Sequence, residues 1–401
     1  SGTNKSASGL SSTIIFDRRY SIILAFNPWI VPMTATLPPR QTISALEPSV
    51  TIIVTPQERF SYTQKSLESI YRHTRIPFTL VYIDAGSPKH IHKYLVKASA
   101  RLGFTLLHTD HFLSPNQARN LGLAQATTDY VVFIDNDIHI SSGWLENLLH
   151  CAKETTAAVV CPLSCIGKPL HDRIHLAGGE ARIFMDIKDG QIRRRIHEKR
   201  FLTQRSAATI KHQLYRRSCE LVELRCALVK RDIFTQIGPL DEKLLGSQED
   251  IDFSLSVNQV GGLMFCEPTS VVTHVPQTAY SWSDLAYFML RWSDTWEVES
   301  LMHFQQKWDL DVDQYFLERY KQVGYRRRQV FIYPLLHQLT GNNHISWLER
   351  LVVNIEKWFS HLLTDRFTRL VHKPITKLSS GTGSTKKTLR QSVLQSYNVP
   401  A

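Results

Sequence analysis

The stretch Tyr130-Val-Val-Phe-Ile-Asp-Asn-Asp137 sets five apolar or aromatic residues directly before two carboxylates. A short apolar run that ends in turn-forming residues is typical of a buried strand in a parallel sheet. Carboxylates at the end of such a strand can hold a divalent cation, because Mg²⁺ and Mn²⁺ prefer oxygen ligands. The same side chains can also simply form a turn. The tripeptide alone therefore leaves both interpretations open.

Apolar runs and helical spacings alternate on either side of this stretch. We predict strands over residues 49–55, 78–83, 103–107 and 157–161, and helices over residues 60–73, 90–102, 114–126 and 144–150. This order predicts an α/β fold, with a mostly parallel sheet flanked by helices. Ligands of such sheets bind beyond the carboxyl ends of the strands, where Asp84 and Asp135 fall.

The chain divides into four segments by composition. Residues 1–47 are expected to be an N-terminal tail or docking segment, 48–280 the α/β domain, 281–375 a helical extension and 376–401 a flexible basic tail. Within the domain, the basic stretch 186–217 is predicted to be a long loop over the site. Residues 345–370 carry a helical apolar stripe, which indicates either a helix covering the domain or one lying on a bilayer.

Composition favours a globular, basic protein. Hydrophobic residues make up 43%, charged residues 21%, and the net charge is +11, which suits a phosphate-bearing partner. Six scattered cysteines indicate reduced, buried thiols and a cytoplasmic setting. The apolar patch Ser21 to Met33 is short and interrupted by Asn27 and Pro28, so neither a membrane span nor a signal peptide is expected.

Several motifs, in this order, resemble those of family 2 glycosyltransferases with the GT-A fold. The resemblance covers about residues 48–275 and rests on Val50 to Thr55, Ile83-Asp84-Ala-Gly-Ser87, Ala118-Arg119-Asn120-Leu-Gly122, Val131 to Asp137 and Glu249-Asp250-Ile-Asp252-Phe253. A GT-A fold is therefore expected.

The resemblance implies a role for each matched residue. Thr55, Pro56, Asp84, Arg119 and Asp135 would bind the nucleotide-sugar, Asp137 and His274 would hold Mn²⁺ or Mg²⁺, Asp250 would be the catalytic base, and Glu249 would orient the acceptor. Each also has a structural reading, such as a salt bridge for Arg119. The backbone at Gly178 and Gly179 allows close approach and is expected to line the sugar pocket.

Two departures from the family limit these implications. The opening loop here is Thr55-Pro56-Gln-Glu-Arg59, which leaves the donor contacts there open. The sequence Phe288-Met-Leu-Arg291-Trp292 lacks the Gln of the membrane-bound polymer synthases, so a processive synthase is not expected. Two roles are open for Arg291 and Trp292: contact with the acceptor, or packing of an amphipathic helix on the domain.

The expected activity is inverting transfer of a hexosyl or N-acetylhexosaminyl group from a nucleotide-sugar, with UDP as the expected nucleotide. The acceptor would be a hydroxyl of a glycan, as in polysaccharide biosynthesis, or of a lipid-linked molecule. The protein would be cytoplasmic and could contact the inner face of the membrane through its basic C-terminal helices. A non-catalytic scaffold that keeps the fold is the alternative. Nucleic acid is not an expected partner, because aromatic residues do not interleave with a basic stripe.

Overall fold

The first half of the chain alternates strands and helices, as predicted. In order these are β1 (Val50–Thr55), α1 (Thr63–His73), β2 (Thr79–Ala85), α2 (Lys89–Leu102), β3 (Thr105–Thr109), α3 (Pro115–Leu123) and β4 (Tyr130–Asp135). Strands β3, β2, β1 and β4 lie side by side and are all parallel. Their carboxyl ends therefore meet at one edge of the sheet.

The second half adds strands of three to eleven residues. They and their helices are β5 (Ile138–Ile140), α4 (Trp144–Thr155), β6 (Val159–Ile166), β7 (Ile174–Leu176), β8 (Gly179–Lys188), β9 (Gln191–Arg200), β10 (Arg217–Cys219), β11 (Cys226–Lys230), α5 (Phe234–Ile237), α6 (Glu249–Gln259) and β12 (Met264–His274). The main sheet runs β10-β12-β6-β11-β4-β1-β2-β3, with β5 beside β12 and β7 beside β6. It is a mixed, mostly parallel sheet of the predicted class.

Helices follow the sheet in the C-terminal region. They are α7 (Trp282–Arg291), α8 (Asp294–Lys307), α9 (Gln314–Gln322), two helical turns at Tyr325–Arg327 and Arg328–Ile332, and α10 (Ser346–Val371). None of the helices in the described residues is long and apolar enough to cross a membrane. The computed structural model describes residues 50–188, 190–276, 282–334, 336 and 346–371, so the predicted tails 1–47 and 376–401 lie outside the described residues.

Apolar residues cover both faces of the sheet. Helices α1, α2 and α4 pack on one face, through Leu67, Leu95 and Trp144. Helices α3 and α6 pack on the other, through Ala118 and Phe253. All six cysteines are buried free thiols, as the composition predicted.

Helix α3 begins where the sequence predicted. Ser114 accepts a hydrogen bond from the Gln117 N–H and forms a capping box with it, and Pro115 stands at the first turn. A Cβ at Gly122 would lie 2.2 Å from Ile53 Cγ2. Only glycine therefore lets α3 pack this closely on β1.

The prediction of a loop over residues 186–217 is wrong for its first part. Strands β8 and β9 form a separate antiparallel hairpin over residues 179–200. Charge pairing fixes it: Arg195 pairs with Asp186 across the hairpin and with Asp313 at the start of α9. Residues 264–274 likewise form one strand with an irregularity between Glu267 and Val271, where two strands were predicted.

Candidate active site

The Asp135-Asn-Asp137 turn lies where β4 leaves the sheet. Asp135 is buried and accepts hydrogen bonds from Thr55 Oγ1 and Arg119 Nη2, both at 3.4 Å. Asn136 braces the turn, because its Oδ1 accepts from the Gln57 N–H at 3.1 Å. Burial raises the pKa of Asp135 to about 7 against the opposing charge of Arg119, and the charge of Asp137 adds to the rise. The turn therefore brings two carboxyl groups into a buried place.

His274 meets Asp137 at this point. His274 ends β12 and its Nε2 lies 3.2 Å from Asp137 Oδ2, with both side chains buried. Glu58, from the loop after β1, contributes a third atom to the cluster, and the three potential ligand atoms lie within 4.8 Å of one another. Asp137 Oδ1 is buried and finds no hydrogen-bond partner in the described part of the chain. An imidazole, a carboxylate and an unpaired buried oxygen suit a cation such as Mn²⁺.

Sequence reasoning missed Glu58. Its Oε2 accepts from Trp292 Nε1 at 2.9 Å and its Oε1 from Arg326 Nη2 at 2.8 Å. Burial works to raise the pKa of Glu58, but the charges of Arg326 and His274 hold that pKa at about 2. Glu58 is thus ionised at neutral pH, beside Asp137. Only the departure from the family loop at Thr55 to Arg59 marked it in the sequence.

Arg225 is a second residue that sequence reasoning missed. Its Nη1 lies 3.3 Å from His274 Nε2, and its carbonyl accepts from the Asp135 N–H at 2.9 Å. The negative charge of Glu223 raises the pKa of the Arg225 guanidinium, although burial works in the opposite direction. A cation therefore stands beside the Asp137–His274 pair. Nothing in its sequence context distinguishes it from other arginines.

Asp250 lies beside the same loop. It stands in the first turn of α6, and its Oδ1 accepts from the Leu224 N–H at 2.8 Å, one residue before Arg225. Burial and the negative charges of Glu249 and Glu223 raise the pKa of Asp250 to about 6. A carboxylate with a pKa near neutrality can accept a proton from a hydroxyl.

Glu249 differs from its neighbour because it is ion-paired. Arg291 Nη2 donates to Glu249 Oε1 at 2.6 Å, and both side chains are buried. Burial acts to raise the pKa of Glu249, yet the charges of Arg291 and Arg119 outweigh it and lower that pKa. Arg291 also donates to the Gly246 carbonyl. Within the described residues, Arg291 packs inside the protein and fixes Glu249.

Asp84 contacts different residues. Ile83 and Phe133 belong to the same core, so strand alternation directs Asp84 and Asp135 to opposite faces of the sheet. Asp84 Oδ2 accepts from His92 Nδ1 at 2.6 Å and His108 Nδ1 at 2.9 Å. A cavity of about 390 Å³ opens beside these two histidines. Within the described part of the chain, the hydrogen bonds of Asp84 thus run to these two histidines and not to the Asp135–Asp137 turn.

The remaining predicted residues have backbone roles. Pro56 offers its carbonyl to Tyr287 at 3.5 Å. A Cβ at Gly178 would lie 2.9 Å from Cys219 Cβ, and one at Gly179 would lie 2.4 Å from the Lys199 carbonyl. The two glycines thus allow the base of the β8–β9 hairpin to pack closely, and their place in a sugar pocket stays a prediction.

Comparisons with known proteins place part of this chain in a known family. Residues 51–216 match the family described as Glycosyl transferase family 2, which confirms the resemblance seen in the sequence. A pre-mycofactocin glycosyltransferase of Mycobacterium tuberculosis is 26% identical over 242 residues, covering 60% of this chain and 45% of that protein. Polypeptide N-acetylgalactosaminyltransferase 3 of Taeniopygia guttata is 29% identical over 169 residues, covering 39% and 26%.

Among solved structures, GalNAc-T7 with UDP, GalNAc and Mn²⁺ aligns with a TM-score of 0.43 and 16% identity, over 70% of this chain and 57% of that one. The chain spans less than half the length of the two curated relatives named above.

Proposed function

We propose that this chain, which carries a glycosyltransferase family 2 domain, transfers a sugar from a nucleotide-sugar to a hydroxyl acceptor with inversion at C1. UDP is the proposed nucleotide, and a hexose or N-acetylhexosamine the proposed sugar. The proposed acceptor is a glycan or a lipid-linked molecule on the cytoplasmic side of a membrane.

One observation carries the proposal: a candidate metal-binding cluster and a candidate catalytic base lie close together at one end of the sheet. Asp135, Asp137 and His274 form a buried acidic and imidazole cluster. Neighbouring residues connect Asp250 to this cluster: the Leu224 N–H donates to Asp250, and Arg225, the next residue, contacts His274. Group transfer needs both a place for the leaving diphosphate and a base for the acceptor, and this arrangement supplies candidates for each.

The metal ion is proposed to bind Asp137 and His274. The buried Asp137 Oδ1 has no hydrogen-bond partner among the described residues, and a divalent cation would give this oxygen a partner. A cation held there would stabilise charge on a leaving diphosphate. Glu58 has both oxygens engaged by Trp292 and Arg326, so we assign it to shaping the site rather than to direct ligation.

Arginines beside the cluster are proposed to bind the donor. Arg225 lies next to His274, where its guanidinium can meet diphosphate oxygens. Arg119 fixes Asp135, which would then bind a ribose or sugar hydroxyl. The assignment of Asp84 to the nucleobase stays a prediction, since it requires a base that reaches the His92 and His108 side of the sheet.

Asp250 is the proposed catalytic base. It would take the proton of the acceptor hydroxyl as that oxygen attacks C1, while the bond from C1 to the diphosphate oxygen breaks. The electron pair of that bond leaves with the nucleoside diphosphate. Glu249, held by Arg291, is proposed to orient the acceptor.

A thermal-shift screen tests donor binding. UDP, GDP, CDP and dTDP are each added with and without Mn²⁺, because ligands that bind only the folded state raise the melting temperature. The proposal predicts that one nucleotide raises the melting temperature, and only when Mn²⁺ is present. The Asp137→Ala variant should show no such rise. The absence of any rise would favour the non-catalytic scaffold instead.

A further inference from the structure

Helix α10 presents a continuous apolar stripe to solvent. Five large apolar residues share one side of this helix and are about half to two-thirds exposed: Trp347 67%, Leu351 50%, Ile355 56%, Trp358 64% and Leu362 48%. Their spacings of four, four, three and four residues follow the helical repeat. An exposed apolar stripe of this length marks an interaction surface.

The opposite side of α10 is fixed to the protein. Glu356, Ser360 and Thr364 are buried there. Glu356 pairs with the fully buried Arg327, whose Nη2 also donates to Asp294 Oδ1 at 2.6 Å. A buried ion pair of this kind fixes the rotation of the helix about its axis, because rotating the helix would leave both charges buried without a partner. The apolar stripe therefore faces outward as a fixed feature.

The charges around the stripe indicate what covers it. Among the α10 side chains that the structure describes, Arg350, Lys357 and His361 are exposed, against one exposed acid, Asp365. No acidic residue follows Asp365, whereas the rest of the sequence holds seven Lys and Arg residues. Cations on and after an apolar helix complement anionic lipid headgroups. Tryptophan, at two of the five stripe positions, is the side chain favoured at a membrane interface.

We propose that the α10 stripe docks on the surface of an anionic phospholipid membrane, with the helix lying in the plane of the interface. The apolar side chains enter the boundary between headgroups and acyl chains, and the basic residues contact the headgroups. The basic surroundings favour a lipid surface over a second copy of this chain, which would bring like charges together.

Docking through α10 would also fix the position of the candidate active site. Arg327 donates to the Trp292 carbonyl, and Trp292 Nε1 donates to Glu58 beside Asp137. One chain of contacts thus joins the membrane-facing helix to the cluster. The docking inference does not depend on the proposed transfer reaction, because it rests on the stripe and its charges.

Vesicle co-sedimentation of the full chain tests the proposal. The protein is mixed with vesicles of phosphatidylcholine alone, or of phosphatidylcholine with phosphatidylglycerol. We expect binding to the mixed vesicles that weakens with added salt. The variant Trp347→Ser/Ile355→Ser/Trp358→Ser should lose at least about tenfold in partition coefficient, because it removes three membrane-inserting side chains.

The matched control is Leu263→Ser/Val312→Ser, which removes exposed apolar residues outside α10 and should bind as the wild type does. Circular dichroism confirms that each variant is folded. Equal vesicle binding by the triple variant would overturn the proposal, as would absence of wild-type binding to anionic vesicles. A wild-type dimer in light scattering that the triple variant converts to a monomer would assign the stripe to self-association instead.

Discussion

His274 Nε2 lies 3.2 Å from Asp137 Oδ2, although 137 residues separate them in the chain. The sheet creates this contact: β12 pairs with β5 so that His274 stands opposite Ile138, the residue after Asp137. The pair is therefore set by strand register and not by a flexible loop. Rigid strands are suited to holding a metal in a fixed geometry.

Replacing Asp137 with Ala removes the proposed metal ligand. We expect the rate of sugar transfer to fall by at least about a hundredfold. Replacing a residue that only hydrogen-bonds a metal ligand already lowers metal affinity or activity by about 10–100-fold. The measurement is release of nucleoside diphosphate at saturating Mn²⁺. Asp110→Ala is the control, because Asp110 is a fully exposed acid that pairs with His108. Comparable losses in both variants would count against a metal role for Asp137.

Transfer should depend on the protonation of Asp250. Its pKa is raised to about 6 by burial and by Glu249 and Glu223, so the rate should fall as pH drops below about 6, where the base becomes protonated. Thermal shift by the donor, measured at the same pH values, separates lost binding from lost chemistry. A rate that rises on acidification would refute the assignment.

Asp250→Asn should fold at least as well as the wild type at neutral pH. A carboxyl whose folded-state pKa is raised above its ordinary value loses stability as pH rises from about 4 to about 6. The amide carries no charge, so this loss of stability is absent in the variant. Urea unfolding at pH 7 measures the free energy of unfolding of both proteins. A marked destabilisation of the variant would mean that the hydrogen bond from Leu224 stabilises the charged Asp250 by more than burial destabilises it.

Arg291→Met should destabilise the protein by about 3–5 kcal/mol, because it leaves Glu249 buried without its partner. Arg182→Met is the control, since the Arg182–Glu220 pair is exposed and such pairs contribute at most about 1 kcal/mol. Urea unfolding compares the two variants. Similar small losses would show that Arg291 does not compensate a buried charge.

Gly122→Ala should cost about 1–3 kcal/mol, because the new Cβ overlaps Ile53 Cγ2. The change Ile53→Ala removes that methyl group. In a double-mutant cycle the two changes should therefore be less than additive in the free energy of unfolding. Strict additivity would mean that the overlap is relieved elsewhere.

The sequence predicted elements whose patterns are local. Strand β4 and helix α3 follow from an apolar run and from a capping box, and both signals depend on neighbouring residues alone. The β8–β9 hairpin was missed because its strands are rich in charge and Ile187 and Ile192 are exposed, so no buried alternation marks it. Its pairing depends on partners such as Asp313, more than a hundred residues away.

Long-range contacts likewise limited the prediction of the candidate site. Asp137 and His274 were predicted by motif, since Asp137 lies in the turn after β4 and His274 ends β12. Glu58 and Arg225 join them only through folding, because their partners Arg326 and His274 lie far along the chain. The helical stripe of residues 345–370 was recognised, but only the structure shows that Leu351 and Ile355 face solvent.

The most direct test of the transfer reaction compares the wild type with Asp250→Asn and Asp137→Ala. Nucleoside diphosphate release from a panel of nucleotide-sugars is measured with Mn²⁺ and water or a simple glycan as acceptor, alongside donor binding. The account predicts release by the wild type, metal-dependent binding without release by Asp250→Asn, and neither by Asp137→Ala. Release by Asp250→Asn at the wild-type rate would contradict it.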